Sequence, residues 1–221
     1  MPKRKMELRK LILLAGIVVL LRFAIDKLGW RRPSLEPRMF LSLALWMIFG
    51  LYWAIAGLNS APTQTAESRT STYFHQFVLM LALFLAIWPV PWMIGWFLPN
   101  RSPLWALVGG TVQAGFLLFA VWARRHLGRN WSAEVRIAVD HQLIRTGPYR
   151  FLRHPIYTAM LGMVLGTAIT CGQYHALLGL AILLIAYVRK SQLEEKILAQ
   201  TFGAEYETYR RDTWALVPLV F

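Results

Sequence analysis

The stretch IYTAMLGMVLGTAITCGQYHALLGLAILLIAYVRK, residues 156–190, decides the fold. It holds two apolar runs, 156–171 and 174–190, separated by little more than Cys171-Gly172-Gln173-Tyr174. The first charged residue of the pair is Arg189. Runs of this kind belong in hydrocarbon, where every backbone polar group has to be satisfied within its own segment, so each is expected to be a helix. A connection this short predicts a tight antiparallel hairpin. Gly162 and Gly166 form a GxxxG pair, whose ordinary meaning is close approach of a neighbouring helix.

Outward from the hairpin the same pattern repeats. Of 221 residues, 57% are hydrophobic and 16% charged, whereas a soluble domain carries about 25% charged residues. Candidate spans lie near 8–25, 39–58, 73–98, 103–122, 156–171 and 174–190, several of them near the roughly 20 residues that cross a bilayer. Pro89 and Pro91 kink or split the third. The start of the chain, MPKRKMELRKLILLAGIVVLL, has the basic and apolar regions of a signal peptide, yet no small-x-small cleavage site follows, so it reads as a retained anchor. Arg22 falls inside the first span, which can instead lie in the interface. The expected fold is therefore an all-α integral membrane protein of five to six transmembrane helices, with no repeat or linker dividing it.

The net charge of +13 raises nucleic-acid binding, but the basic residues gather at the ends of apolar runs and no nucleic-acid motif accompanies them. They serve as a topology signal instead. With the N-terminus, 59–72, 123–155 and the C-terminal tail on one side, that side carries 18 of the 24 lysines and arginines. The other side has Arg22, Lys27, Arg31, Arg32, Arg38 and Arg101. The bias places 123–155 and the tail in the cytoplasm. The single cysteine, Cys171, excludes an intrachain disulfide and a multi-cysteine metal site.

Two polar segments then share one face of the membrane. The first, residues 122–157, is longer than a connection requires, and loops of that length are functional or disordered; its aromatic residues argue against disorder. Gly147-Pro148 is a turn signal, and Pro155 fits the first turn of the fifth helix, leaving His154 at the N-cap. Open backbone N–H groups there would suit an anion. The plainer reading is that His154 caps the helix while Arg150 and Arg153 touch lipid phosphate. The second segment, residues 187–218, continues the sixth helix beyond the membrane through Leu193, Ile197 and Leu198. Phe202-Gly203 ends that helix, and a short one carrying Tyr206 and Tyr209 follows. Arg189, Gln192 and Glu195 form a broad stripe, since i, i+3, i+6 precesses about 60° per step. Glu194 and Glu195 could also be a solvated face.

The chain has no Ser/His/Asp order, no phosphate-binding glycine loop and no HExxH, and its histidines are too scattered to hold a metal. What remains is a cytoplasmic pocket at the bilayer surface, built by the loop before the last hairpin and by the C-terminal helices. Arginines, carboxylates, a histidine and tyrosines suit a zwitterionic aromatic molecule, with a lipidic partner able to enter from the membrane.

LGRNWS (127–132), DHQLIRTGPYRFLRHPIY (140–157) and EEKILAQTFGAEYETYRRDTWALVP (194–218) closely resemble the isoprenylcysteine carboxyl methyltransferase family. Its wider group includes phospholipid methyltransferases and the C-terminal part of sterol reductases. The resemblance covers about the last 100 residues. It implies S-adenosylmethionine as cofactor and methyl transfer to a lipidic or prenylated acceptor, without metal or nucleic acid. Residues 123–221 would be the methyltransferase core and 1–122 the N-terminal spans of a single membrane domain. By the resemblance, the cofactor site takes in His141, Leu143, Gly147, Tyr149, Arg153, His154, Pro155, Tyr157, Glu194, Glu195, Tyr206 and Tyr209. Arg189 and Glu195 would be catalytic, with Arg189 orienting an acceptor carboxylate. Which glutamate faces inward stays open, although spacing with Gln192 favours Glu195. A phospholipid amine or small thiol remains an alternative acceptor, and a sterol-reductase-like enzyme or a non-catalytic membrane protein an alternative function.

Overall fold

The computed structural model describes residues 37–58, 63–65, 69–88, 103–128, 136–138 and 143–218. The expected span at 8–25, the Pro89/Pro91 break and His141 lie outside them. Helices α1 (Pro37–Gly57), α2 (Arg69–Ile87), α3 (Pro103–Leu127), α4 (Pro155–Cys171), α5 (Tyr174–Phe202) and α6 (Ala204–Arg211) build the described structure. Two three-residue strands, β1 (Thr63–Thr65) and β2 (Arg136–Ala138), pair antiparallel between them. The ribbon ties the 59–72 loop to the 123–155 segment, two regions that the charge count puts on one side of the bilayer.

Met39–Gly57, α3 and α5 are long and apolar enough to cross a membrane, while Tyr73–Ile87 and α4 are shorter apolar helices. Large apolar side chains such as Met47, Leu51, Phe77, Leu118 and Ile185 are exposed on their outer faces. A water-soluble protein rarely leaves that much apolar surface bare, so these faces meet lipid. The chain is a helical membrane protein. Its second helix ends at Ile87, with Trp88 N–H still on Phe84 O at 2.7 Å, because the residue before a proline is forced out of helical backbone.

Small residues set the helix seams. A Cβ on Gly166 would lie 2.7 Å from the Gln113 and Gly109 backbone of α3, and one on Gly162 would enter the Phe116 ring. The GxxxG pair thus packs α4 directly on α3. Gly179 of α5 does the same against Ala82 and Ala86 of α2, where a Cβ would sit 2.6 Å from the Ala82 carbonyl. Polar groups join α1 to this bundle. Trp46 donates to Thr167 Oγ1 at 2.9 Å, and Gln113 Nε2 donates to Ser42 O at 3.0 Å. Buried Arg124 crosses from α3 to the end of α1, donating to Ala56 O at 2.7 Å.

The hairpin forms as its sequence requires. Gly172 ends α4 in the left-handed region, φ 70°, where glycine carries no Cβ penalty. Helix α5 is apolar to about Val188 and then runs on as a polar stretch to Phe202. Gly203, φ 52°, turns the chain into α6.

Candidate active site

The backbone fixes the site before any side chain does. Gly147, φ 59°, opens a 3-10 turn over Gly147–Arg150, and a Cβ there would strike the His126 ring at 2.3 Å. Pro148 and Tyr149 are buried in that turn. Pro155 occupies the first turn of α4 with His154 at the N-cap, yet the His154 side chain makes no capping bond. The tail closes the helix start instead. Arg153 N–H donates to Trp214 O at 2.8 Å, His154 N–H to Ala215 O at 3.1 Å, and Trp214 N–H returns to Phe151 O at 3.1 Å. Thr158 Oγ1 reaches Leu216 O at 2.5 Å. At this helix start, where open N–H groups were expected to suit an anion, those of Arg153 and His154 are taken by peptide carbonyls of the chain.

Against this frame the polar side chains converge. Arg153 Nε donates to Glu195 Oε1 at 2.8 Å, and its other nitrogen spans to the carbonyls of Arg210, at 3.0 Å, and Thr213. His154 lies between the two glutamates. Nε2 is 3.2 Å from Glu195 Oε1 and Nδ1 is 3.3 Å from Glu194 Oε2. Only the imidazolium can donate from both nitrogens, so both contacts are hydrogen bonds at once when His154 is protonated. Burial pulls its pKa down, but hydrogen bonds to Glu194 and Glu195 outweigh that and hold it above the ordinary 6.5. Burial raises both glutamates in turn, while the bonds and charges of His154, with Lys190 at Glu194 and Arg153 at Glu195, bring them below 4.5. Both glutamates face inward. The plainer readings, a simple cap and a solvated pair, do not describe them.

Aromatic rings line the cluster. Tyr157 donates to Glu194 Oε1, and its ring stacks on His154 at 5.4 Å and on Tyr187 at 4.4 Å, within 7° of parallel in both cases. Lys190 Nζ stands 5.9 Å from the Tyr157 ring centroid. From α6, Tyr209 donates to Tyr149 O at 2.7 Å. Tyr206 packs edge-on to Tyr209 with its ring fully buried, and its hydroxyl has no hydrogen-bond partner among the described residues. Burial, with Glu195 close by, pushes that hydroxyl well above the usual tyrosine range. A buried unpaired hydroxyl costs about 1–3 kcal/mol, which a ligand atom would relieve.

The structure thus brings together Arg153, His154, Tyr157, Glu194, Glu195 and Tyr206, with Gly147, Tyr149, Pro155 and Tyr209 supporting them. Leu143 is half-buried at the start of the turn segment. Arg189 stands apart, exposed on the α2 side of α5, where it donates to Ser71 Oγ at 3.2 Å and lies over the Phe74 ring. Gln192 is exposed as well, so the Arg189–Gln192–Glu195 stripe spreads over more than one face. Lys190, Arg124 and the tail carbonyls of Thr213, Trp214 and Ala215 were not singled out by sequence. Lys190 sits four residues before Glu194 on the same helix face, a spacing that could have marked it; peptide carbonyls leave no such signal.

The family model described as phospholipid methyltransferase matches residues 104–205, which run from α3 to the start of α6. Over that stretch, just under half of its length, the chain is similar to the phospholipid methyltransferases. Among relatives, it is 25% identical to protein-S-isoprenylcysteine O-methyltransferase A of Arabidopsis thaliana over 190 residues, covering 83% of this chain and 92% of the relative. A probable protein-S-isoprenylcysteine O-methyltransferase of Oryza sativa subsp. indica is 27% identical over 57% of this chain and 63% of its own length. The protein-S-isoprenylcysteine O-methyltransferase of Schizosaccharomyces pombe is 32% identical over 82 residues, 37% of this chain and 35% of the relative.

Proposed function

We propose that the chain is an S-adenosylmethionine-dependent methyltransferase acting on a membrane-partitioned carboxylate of the isoprenylcysteine kind, with its cofactor cluster facing the cytoplasm. The observation that carries this reading is the pairing of His154 with both Glu194 and Glu195 beside the unpartnered Tyr206 hydroxyl. The donor set fits the cofactor. Among the described residues Glu195 Oε2 has one long contact, Arg210 Nε at 3.6 Å, and so retains capacity for a ligand ammonium. The hydroxyl of Tyr206 can bond a polar atom of the same ligand, and the rings of Tyr157 and Tyr206 offer apolar surface to a purine. When bound, the cofactor supplies a methyl on a sulfonium sulfur, which passes to a carboxylate oxygen as the sulfonium becomes a neutral thioether.

The protein's part is to position and to exclude water. Arg153 and His154 balance the charges of the two glutamates. The tail strand over 213–216 covers the start of α4. Holding donor and acceptor in line, out of water, supplies most of the rate for such a displacement. A carboxylate acceptor is already ionised and needs no general base. In this reading residues 123–221 hold the cofactor, the earlier spans shape the acceptor's approach, and Arg189 binds the acceptor carboxylate.

The relatives' names support the prenylcysteine acceptor, and the family model's name supports a phospholipid. A screen with labelled methyl donor separates them. Label is expected on the carboxylate of a prenylated cysteine; exclusive labelling of phosphatidylethanolamine, a fatty acid or a small thiol would refute that choice. Arg189→Ala is expected to lose turnover while keeping cofactor affinity, and an equal loss of cofactor binding would remove Arg189 from the acceptor side.

A further inference from the structure

An aromatic wall of stacked Tyr157 and Tyr187 bounds the donor cluster. On one side Tyr157 carries Glu194 and stacks on His154. On the other, Tyr187 stacks on Tyr157 and meets buried His75 of α2 at 6.1 Å. Helix α2 therefore packs against the back of the wall that bounds the methyl-donor cluster. Its Ser71, Phe74 and His75 follow one another at i, i+3 and i+4, which is one helix face. That face meets α5 beside Arg189.

Arg189 is held there in two ways. Ser71 Oγ accepts from its Nη2 at 3.2 Å, and the Phe74 ring lies 5.6 Å below its guanidinium carbon. Arg189 and Phe74 are both exposed, the latter at 55%, so the arrangement opens on the surface of the protein. A guanidinium seated on an aromatic face loses mobility but keeps its in-plane N–H fork available. With one nitrogen on Ser71, the remaining donors can take a carboxylate. Resting on the reading of Arg189 as the acceptor's partner, we propose that Ser71 and Phe74 are positioning residues. They aim Arg189 at the carboxylate of an acceptor arriving from the membrane between α2 and α5, and so set its preference for an acid. Neither residue falls within 104–205, the part matched by the family model, so this control of the acceptor belongs to the N-terminal half of the chain.

The test uses the full chain in detergent with S-farnesyl-N-acetylcysteine as probe and its carboxamide as competitor. In Ser71→Ala and Phe74→Ala the KM for the acid should rise at least about tenfold, the scale of one hydrogen bond to a charged group. Preference for acid over amide should fall toward one, while the Kd for S-adenosylmethionine stays unchanged. Ser71→Thr should restore the preference. A merely structural role would not move acid-amide discrimination at constant cofactor affinity. Wild-type turnover with KM and discrimination unaltered in both variants overturns this inference alone. Wild-type protein that binds S-adenosylmethionine but never methylates the acid overturns the acceptor reading, and this inference with it.

Discussion

His154 Nε2 lies 3.2 Å from Glu195 Oε1, although 41 residues of chain separate the two. One comes from the N-cap of α4 and the other from the polar extension of α5. Arg153 binds the same oxygen at 2.8 Å. Taking away Glu195 thus removes the oxygen that buried His154 and half-buried Arg153 share, and breaking such a pair costs about 3–5 kcal/mol when one partner is lost. Glu195→Gln keeps the shape and one acceptor oxygen. We expect it to fold, with a lower melting temperature, and to bind S-adenosylmethionine at least about tenfold more weakly, a charge-assisted bond's worth. Calorimetry on the detergent-solubilised protein measures both.

The same cluster makes stability depend on pH in a defined direction. His154 is raised above 6.5 in the fold, so its contribution is complete below that value and is lost as pH rises through the folded pKa. Glu194 and Glu195 are lowered below 4.5, so theirs is present above that value and is lost as pH falls through the folded pKa. The melting temperature without ligand should therefore be highest between about 4.5 and 6.5, falling on both sides. His154→Gln should flatten the alkaline limb, which a pH series of thermal melts would show.

The tail over 213–218 is a part of the site that sequence reasoning did not isolate. Deleting the chain after Asp212 removes the Thr213, Trp214, Ala215 and Leu216 carbonyls from Arg153, His154 and Thr158, each bond contributing about 1 kcal/mol net. The truncated protein should keep its helical circular dichroism and lose saturable cofactor binding. Retained binding would show that the tail is dispensable.

Gly166 is expected to be intolerant for a reason that has nothing to do with chemistry. Its missing side chain lets Gln113 N and Gly109 O come to 2.7 Å from where a Cβ would be, and backbone cannot swing aside. Gly166→Ala should destabilise by about 1–3 kcal/mol, as overpacking does. Gly50→Ala on α1, with nothing within 4 Å of the new Cβ, should not. Thermal melts of the pair decide the point.

Much of the fold was legible because the bilayer imposes a simple rule. The hairpin over 156–190, the Pro155 start, the Gly203 stop and the extension of α5 each follow from local chemistry. The site was legible as far as its residue types went, since Arg153, His154, Tyr157 and the two glutamates stood in segments with no other reason to be polar. Which faces they presented was not legible. Spacing along one helix favoured Glu195 alone, but His154 has two nitrogens and reaches both glutamates. The same spacing grouped Arg189 with Glu195, whereas packing of α2 on Gly179 draws the arginine to another side of α5. Helix-to-helix rotation is a tertiary property, and the carbonyls of 213–216 carry no residue code at all.

The central claim is that the His154–Glu195 cluster is the methyl-donor site, and titration with S-adenosylmethionine tests it most directly. Isothermal titration of the purified wild-type chain should give saturable binding. His154→Ala and Glu195→Ala, each still monodisperse and helical, should abolish it. No saturable binding to the wild type, or undiminished binding to both variants, would contradict the account.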